Sequence, residues 1–393
     1  MYDVIVVGAR CAGAPTAMLF ARSGYHVLMV DRATFPRDTL STLYIQQPGV
    51  RLLEDWKVLD RVKATGCPPI ERMCYRRAGV ELEGRLWEFD GISVAYAPRR
   101  FLLDHVLAES AVGAGVDFLA GHSVQELLFD GDRVTGVRLR NRGGKVHPAR
   151  AHLVVGADGM RSTVADAVRA ETLVSDVRKS CVYYAYWPWS SRRFEIYESD
   201  GRWVGVVPTN DDLTLVGVYF PQAEFSTIRS DFERFYHESI RACAPELYSI
   251  LRGRKPVGRV RGTGDQRNFF RQAAGPGWAL VGDAGHHKDS ITARGITDAF
   301  YQAKLLVQCV GDTLFDRQRL AEALGRYQTE RDAMLGDEYR QTLAIAALST
   351  SDRRLRALKE MAANPDAAGP FFASLCGSPF TDMMRPPRHA VGR

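Results

Sequence analysis

The chain has 393 residues, which at about 150 residues per domain allows two or three domains. It is 46% hydrophobic, 25% charged and 10% aromatic, which excludes a wholly disordered chain, a collagen-like one and a small disulfide scaffold. Lys+Arg 52 against Asp+Glu 46 leaves a formal charge of +6, spread along the chain, and a surplus of that size suits an anionic small molecule as readily as nucleic acid.

Residues 3–7 (DVIVV) are apolar and β-branched, as a buried parallel strand requires. The chain then turns at Gly8, and residues 13–23 read as a helix ending at Gly24. A second strand over 26–30 ends at Asp31. Residues 124–140 form a predicted hairpin with Asp130-Gly131-Asp132 at its turn. A strand over 152–156 stops at Ala157-Asp158-Gly159, and another over 278–281 runs into Gly282-Asp283. Three buried strands that end in Gly/Asp turns yet lie far apart in sequence imply one nucleotide-binding domain interrupted by insertions. Between them, residues 181–220 alternate aromatic and β-branched side chains, the pattern of antiparallel strands, and 230–244 read as a helix. Beyond Gly311 the character is helical, with 317–339 and 353–362 as candidates and a frayed tail over 383–393. The expected division is residues 1–70, 98–175 and 276–330 for the nucleotide-binding domain, 71–97 and 176–275 for a β-rich substrate domain, and 331–393 for a helical extension.

Seven cysteines (Cys11, Cys67, Cys74, Cys181, Cys243, Cys309 and Cys376) include no Cys-x-x-Cys pair, so free thiols in a reducing compartment are expected. The amino terminus lacks a signal-like pattern, and no apolar run approaches the roughly 18 residues that span a bilayer. These features predict a cytoplasmic protein without stable membrane insertion. No metal-ligand spacing, no Gly-x-Ser-x-Gly elbow and no nucleic-acid recognition motif is found.

The run Gly8-Ala9-Arg10-Cys11-Ala12-Gly13 sits where a Rossmann fingerprint has Gly-x-Gly-x-x-Gly, with Arg10 at the middle glycine. Gly8 can still make the tight turn and Gly13 still lets helix and strand approach. The helix N-terminus remains an anion site, and Asp31 closes the second strand, where a carboxylate can accept from both hydroxyls of an adenosine ribose. Gly156-Ala157-Asp158-Gly159-Met160-Arg161-Ser162 and Gly282-Asp283-Ala284-Gly285-His286 each follow a buried strand.

With these three motifs in this order, the sequence resembles the para-hydroxybenzoate hydroxylase family, the group A FAD-dependent monooxygenases, over about residues 1 to 330. The resemblance implies an α/β fold: a Rossmann-like FAD-binding domain of the glutathione reductase type, an inserted, mostly antiparallel β-sheet substrate domain, and C-terminal helices. It implies FAD held by Gly8, Arg10, Cys11, Ala12, Gly13, Asp31 and Arg32. Asp158, Gly159 and Arg161 would belong to the central motif, and Gly282 and Asp283 would bind the ribityl chain. Backbone N–H groups of Gly295 and Ile296 would face the flavin N1–C2=O edge. Arg37 and Arg100, and less directly Arg99, stand where related flavoproteins place cofactor-contacting arginines. The late motif departs from the family at Gly285, at Ser290 (a proline in the family) and at Ala293 (a glycine).

The implied reaction is a monooxygenation: NADPH or NADH reduces FAD, O₂ forms a flavin C4a-hydroperoxide, and one oxygen atom enters an aromatic or polycyclic small molecule. Tyr184 and Tyr186 share one face of their strand, Tyr183 and Trp187 the other; Tyr184, Tyr186, Tyr197 and Ser290 are the expected substrate contacts, with Pro208 as a weaker one. His286 and Lys288 are candidates for proton transfer or charge stabilisation. A flavin-dependent reductase of the geranylgeranyl reductase type is the alternative, and then a halogenase. The Trp-x-Trp-x-Ile-Pro segment of halogenases is not matched by Trp187-Pro188-Trp189.

Overall fold

The computed structural model describes residues 1–349, 352–364 and 367–376; the predicted frayed tail over 383–393 lies outside them. The expected α/β architecture is observed. The first sheet has the order Ala274–Gly275, Trp278–Leu280, Val146–Gly156, Tyr2–Val7, Val27–Asp31, Asp117–Ala120. Along this path all pairs except that of Ala274–Gly275 with Trp278–Leu280 are parallel, and two further strands join it antiparallel through Val146–Gly156. Its central strands are β-branched and solvent-free, as a sheet covered on both faces requires: Val4, Ile5, Val6, Leu153, Val154 and Val155 are fully buried. The strand predicted over 152–156 begins earlier, at Val146, because its first half carries the predicted hairpin, now Ser123–Asp130 and Arg133–Arg140.

The second sheet has the order Val257–Thr263, Ser180–Trp187, Thr214–Pro221, Arg202–Pro208, Phe194–Ser199, Arg72–Arg77, Val80–Arg85. It is antiparallel throughout except where Phe194–Ser199 runs alongside Arg72–Arg77. The period-of-two reading holds here. Tyr183, Ala185 and Trp187 point into a core with Val204, Val216 and Phe220 and with Tyr236 and Ile240 of the helix Phe232–Cys243. Tyr184 and Tyr186 point the other way, into a core with Trp203, Val207, Leu215 and Tyr219. The helix expected over 230–244 is observed as Phe232–Cys243, and a separate helix, Phe225–Ser230, precedes it, the two being broken at Asp231, whose ψ of 55° is not helical.

A three-stranded sheet of His286–His287, Asn268–Arg271 and Thr172–Asp176 lies between the two larger ones. The helix predicted over 317–339 extends to Ala346, as Arg317–Ala346. Its buried residues reach both halves of the molecule: Tyr327 donates to the carbonyl of Leu280 at 2.8 Å, and Ala346 packs in the core beneath the second sheet. No helix among the described residues is long and apolar enough to cross a membrane.

Candidate flavin and substrate site

A cavity of about 1050 Å³ runs from the ends of the parallel strands to the inner face of the second sheet. At the first end, the chain leaves the strand Tyr2–Val7 and turns at Gly8, whose φ of +104° suits glycine. The helix Gly13–Arg22 follows with no side chain capping its first turn; the Ala14 N–H is taken by the Arg10 carbonyl at 2.9 Å, and Ala12 at the N-cap lines the cavity, so the positive end of the helix faces it. A Cβ on Gly13 would lie 1.8 Å from the Gly8 carbonyl oxygen. Asp31 is 8% exposed and accepts from the N–H of Ala9 (3.0 Å) and of Ala33 (2.8 Å). Each carboxylate oxygen keeps a lone pair for a further donor. A glycine-packed turn, a helix N-terminus and a fixed carboxylate at the next strand end are what an adenosine diphosphate moiety needs.

Arg10 and Arg100 converge on Asp104, a fully buried carboxylate that sequence reasoning missed. Arg10 Nη1 lies 3.0 Å from Oδ2, Arg100 forks onto Asp104 at 3.0 to 3.1 Å, and the Cys11 thiol donates to Oδ1 at 3.3 Å. Both guanidiniums line the cavity, together with Arg32 and Arg37. Asp104 thus anchors the arginine that replaces the middle glycine. Only the helical position of a lone acid, four residues after Arg100, hinted at it. Burial pushes the Cys11 thiol well above its ordinary pKa, so it stays protonated.

The central motif serves a local role. Asp158 accepts from Ser162 Oγ at 2.5 Å and from the N–H of Thr163 at 2.6 Å, capping the short helix Thr163–Ala167, while burial raises its pKa. Arg161 is largely exposed and donates to Asp265 at 2.8 Å. Asp158, Gly159 and Arg161 all line the cavity.

The late motif forms the wall where the two sheets meet. Gly282 and Asp283 lie in a single 3-10 turn, and Gly295 and Ile296 open the helix Gly295–Val310; Asp283, Gly295 and Ile296 line the cavity, whereas Gly282, expected to contact the cofactor, lies outside the lining and packs its α-carbon close to Ala12 and Ala299. Ala293 has a φ of 53°, the left-handed region, so the backbone keeps the path a glycine would take at a cost of roughly 1–2 kcal/mol. His286 is 3% exposed and sits against the Phe270 ring at 4.4 Å. Burial beside Lys288 and Arg331 holds its imidazole well below the ordinary pKa, so it stays neutral and is a poor proton acceptor. Lys288 is committed to Asp298 at 2.5 Å, both side chains 4% exposed.

Asp289 ties this loop to the second sheet, accepting from the N–H and hydroxyl of Ser180 (3.2 and 2.8 Å) and from the N–H of Ile291 (3.1 Å). Burial nonetheless pushes its carboxyl up to about 6 from 3.8. Because the folded value lies above the unfolded one, the fold favours the protonated form. That stabilisation is complete below about pH 4 and is lost as pH rises through about 6, a change on the order of 3 kcal/mol. Thermal melts across this range should show wild type losing ground relative to Asp289→Asn as pH rises.

On the sheet side, Gly205 and Gly217 face each other directly across neighbouring strands, flanked in the same row by Ile196 and Tyr184. The adjoining rows pair Trp203 with Tyr219 and Val207 with Leu215. A Cβ on Gly205 would meet nothing within 4 Å. The result is a bare floor between two apolar ridges, opposite Ser290, Ile291 and Ala293. The segment Trp203-Val204-Gly205-Val206-Val207-Pro208 keeps the first tryptophan and the proline of the halogenase segment but has glycine at the second tryptophan.

Tyr184 and Ser290 line the cavity. Tyr186 shares that face without lining it; its ring packs on the Arg99 guanidinium at 4.7 Å. Tyr197, expected at the substrate, is on the opposite face: it pairs with Val204, belongs to the helix-covered core, and its hydroxyl donates to Glu195 at 3.0 Å. Pro208 ends its strand outside the lining.

Residues 1–338 match the FAD binding domain family. The chain is 26% identical over 345 residues to a tryptophan 2-halogenase of Chondromyces crocatus, covering 83% of this chain but only 64% of that protein. It is 27% identical over 314 residues to a digeranylgeranylglycerophospholipid reductase of Methanosarcina mazei, covering 77% and 74%. The solved structure of PqsL, a probable FAD-dependent monooxygenase from Pseudomonas aeruginosa, aligns with a TM-score of 0.77 at 22% identity, covering 91% of this chain and 99% of the other; at that identity it is the fold that is shared. The match over residues 1–338 and the geometry of the cleft agree: the chain belongs to the FAD binding domain family and has the FAD-binding architecture that monooxygenases, halogenases and geranylgeranyl reductases share.

Proposed function

We propose that the chain is an FAD-dependent monooxygenase that takes electrons from NADPH or NADH and inserts one oxygen atom of O₂ into a flat aromatic or polycyclic molecule. The observation that carries this reading is the Gly205–Gly217 floor, which offers a ring-sized surface between apolar ridges facing the loop before the helix Gly295–Val310. FAD, when bound, supplies electron transfer and O₂ activation. The chain's own part is binding, orientation and exclusion of water. The Gly13 helix and Asp31 would hold the ADP half. The N–H groups of Gly295 and Ile296 would stabilise negative charge on the ring system. Trp203, Val207, Leu215 and Tyr219 would keep the reacting face dry.

Reduction by NADPH or NADH without air, followed by ¹⁸O₂ and a panel of phenols, tests the reading: one labelled atom in the product supports it. A halogenated product in the presence of bromide would favour the halogenase reading, to which the tryptophan 2-halogenase points and against which Gly205 stands. Flavin reduction with no product from any ring would favour the reductase. A narrower test is Gly205→Trp, which fills the floor. It should retain FAD and lose aromatic ligand binding by more than about tenfold, about 1.4 kcal/mol, as followed by perturbation of the flavin spectrum.

A further inference from the structure

The substrate end of the cavity has a polar spot built from residues distant in sequence: Tyr219 in the row beside the Gly205–Gly217 floor, Ser290 in the facing loop, and Gln266 between them, all lining the cavity. The direction of every hydrogen bond in it can be deduced. Gln266 is 3% exposed, and its Nε2 lies 3.1 Å from the carbonyl oxygen of Ser180, a group that only accepts. Its Oε1 lies 3.1 Å from the N–H of Ser290, a group that only donates. A flipped amide would oppose like groups at both ends, so the orientation is settled. Oε1 can only accept, so the Ser290 hydroxyl, 2.5 Å away, must give it its proton. Ser290 Oγ then has only lone pairs left, and the Tyr219 hydroxyl at 3.0 Å must donate to it.

We infer that Tyr219 presents a lone pair, and not its proton, to a ligand on the Gly205–Gly217 floor, so that the site selects flat aromatic molecules carrying an O–H or N–H donor over those whose polar group only accepts. The inference rests on the floor being the ligand site, as proposed above. It depends on Ser290, which supplies both the N–H that orients Gln266 and the oxygen that takes the tyrosine proton. Burial keeps the Tyr219 phenol protonated, well above its ordinary pKa, so the polarity does not reverse near neutral pH. A donor group would complete the chain donor → Tyr219 → Ser290 → Gln266, whereas an ether or ketone would set lone pair against lone pair.

The flavin-loaded protein should be titrated with 2-naphthol and with 2-methoxynaphthalene, reading the flavin spectrum. The naphthol should bind about tenfold more tightly. In Tyr219→Phe that ratio should fall to near one with both ligands still bound. In Ser290→Ala the freed tyrosine proton should raise affinity for the ether and narrow the gap. Equal affinities in the wild type, or a gap that survives in Tyr219→Phe, would overturn the inference while leaving the floor as the ligand site. If neither compound binds the flavin-loaded wild type, the floor fails as an aromatic site and the inference falls with it.

Discussion

Gly13→Ala is expected to give a protein that has lost most of its flavin. The added Cβ would stand 1.8 Å from the carbonyl oxygen and 2.8 Å from the carbonyl carbon of Gly8, and 3.2 Å from the Cβ of Ala157. The two nearest atoms are backbone, which cannot swing aside as a side chain can. Relief therefore requires the turn to move away from the helix. The cost should exceed the roughly 1–3 kcal/mol of ordinary overpacking. The displacement falls on the N–H groups at the helix start and on Ala9, whose N–H fixes Asp31. Flavin content of the purified protein, from the ratio of visible to protein absorbance, checks the prediction; a variant with full flavin would show that the turn does not cradle the cofactor. The melting temperature should fall in the same variant even without flavin, since the clash is internal.

The three Gly/Asp strand ends could be read from the sequence because each is a local pattern: a β-branched run, a turn residue, a helix start. Burial on both faces leaves such strands apolar throughout, and that signature survives in a single chain. The features that set the substrate end did not have this property. Arg10 reaches Asp104 across 94 positions and Ser290 reaches Tyr219 across 71. Arg10 and Ser290 stand out in their own segments, but their partners Asp104 and Tyr219 do not. The bare floor exists only because the ladder register sets Gly205 opposite Gly217; a one-residue slip of either strand would put its glycine on the helix-covered face and a side chain on the floor. Tyr197 was misplaced for the same reason, since its face follows from pairing with Val204 and not from its composition. The strands Arg72–Arg77 and Val80–Arg85 escaped a strand reading because they are rich in charged residues. These residues pair across strands, as Arg72 with Glu83 and Arg76 with Glu81 and Glu195.

Lys288→Met should destabilise the protein by about 3–5 kcal/mol, the usual result of removing one partner from a buried ion pair. Lys288 and Asp298 bracket the loop that carries Asp289, Ser290 and Ala293, and their 2.5 Å contact closes it like a clasp. Among the described residues, the ion pair left to Asp298 would be that with Arg294, at 3.7 Å, and that guanidinium is already held by Glu338 of the long C-terminal helix at 2.6 Å. The uncompensated carboxylate, not the missing methylene packing, would carry most of the loss. Lys288→Met combined with Asp298→Leu should therefore recover much of it, because both charges then vanish and the Arg294–Glu338 pair remains. Denaturant melts of the single and double variants separate the two causes. A double variant as unstable as Lys288→Met would mean that the loop is held by packing and not by the ion pair. The loop also lines the cleft, so the single variant should retain flavin more weakly in proportion to its lost stability, and the double variant should regain it. That linkage makes Lys288 a positioning residue for the loop, consistent with its ammonium being spent on Asp298.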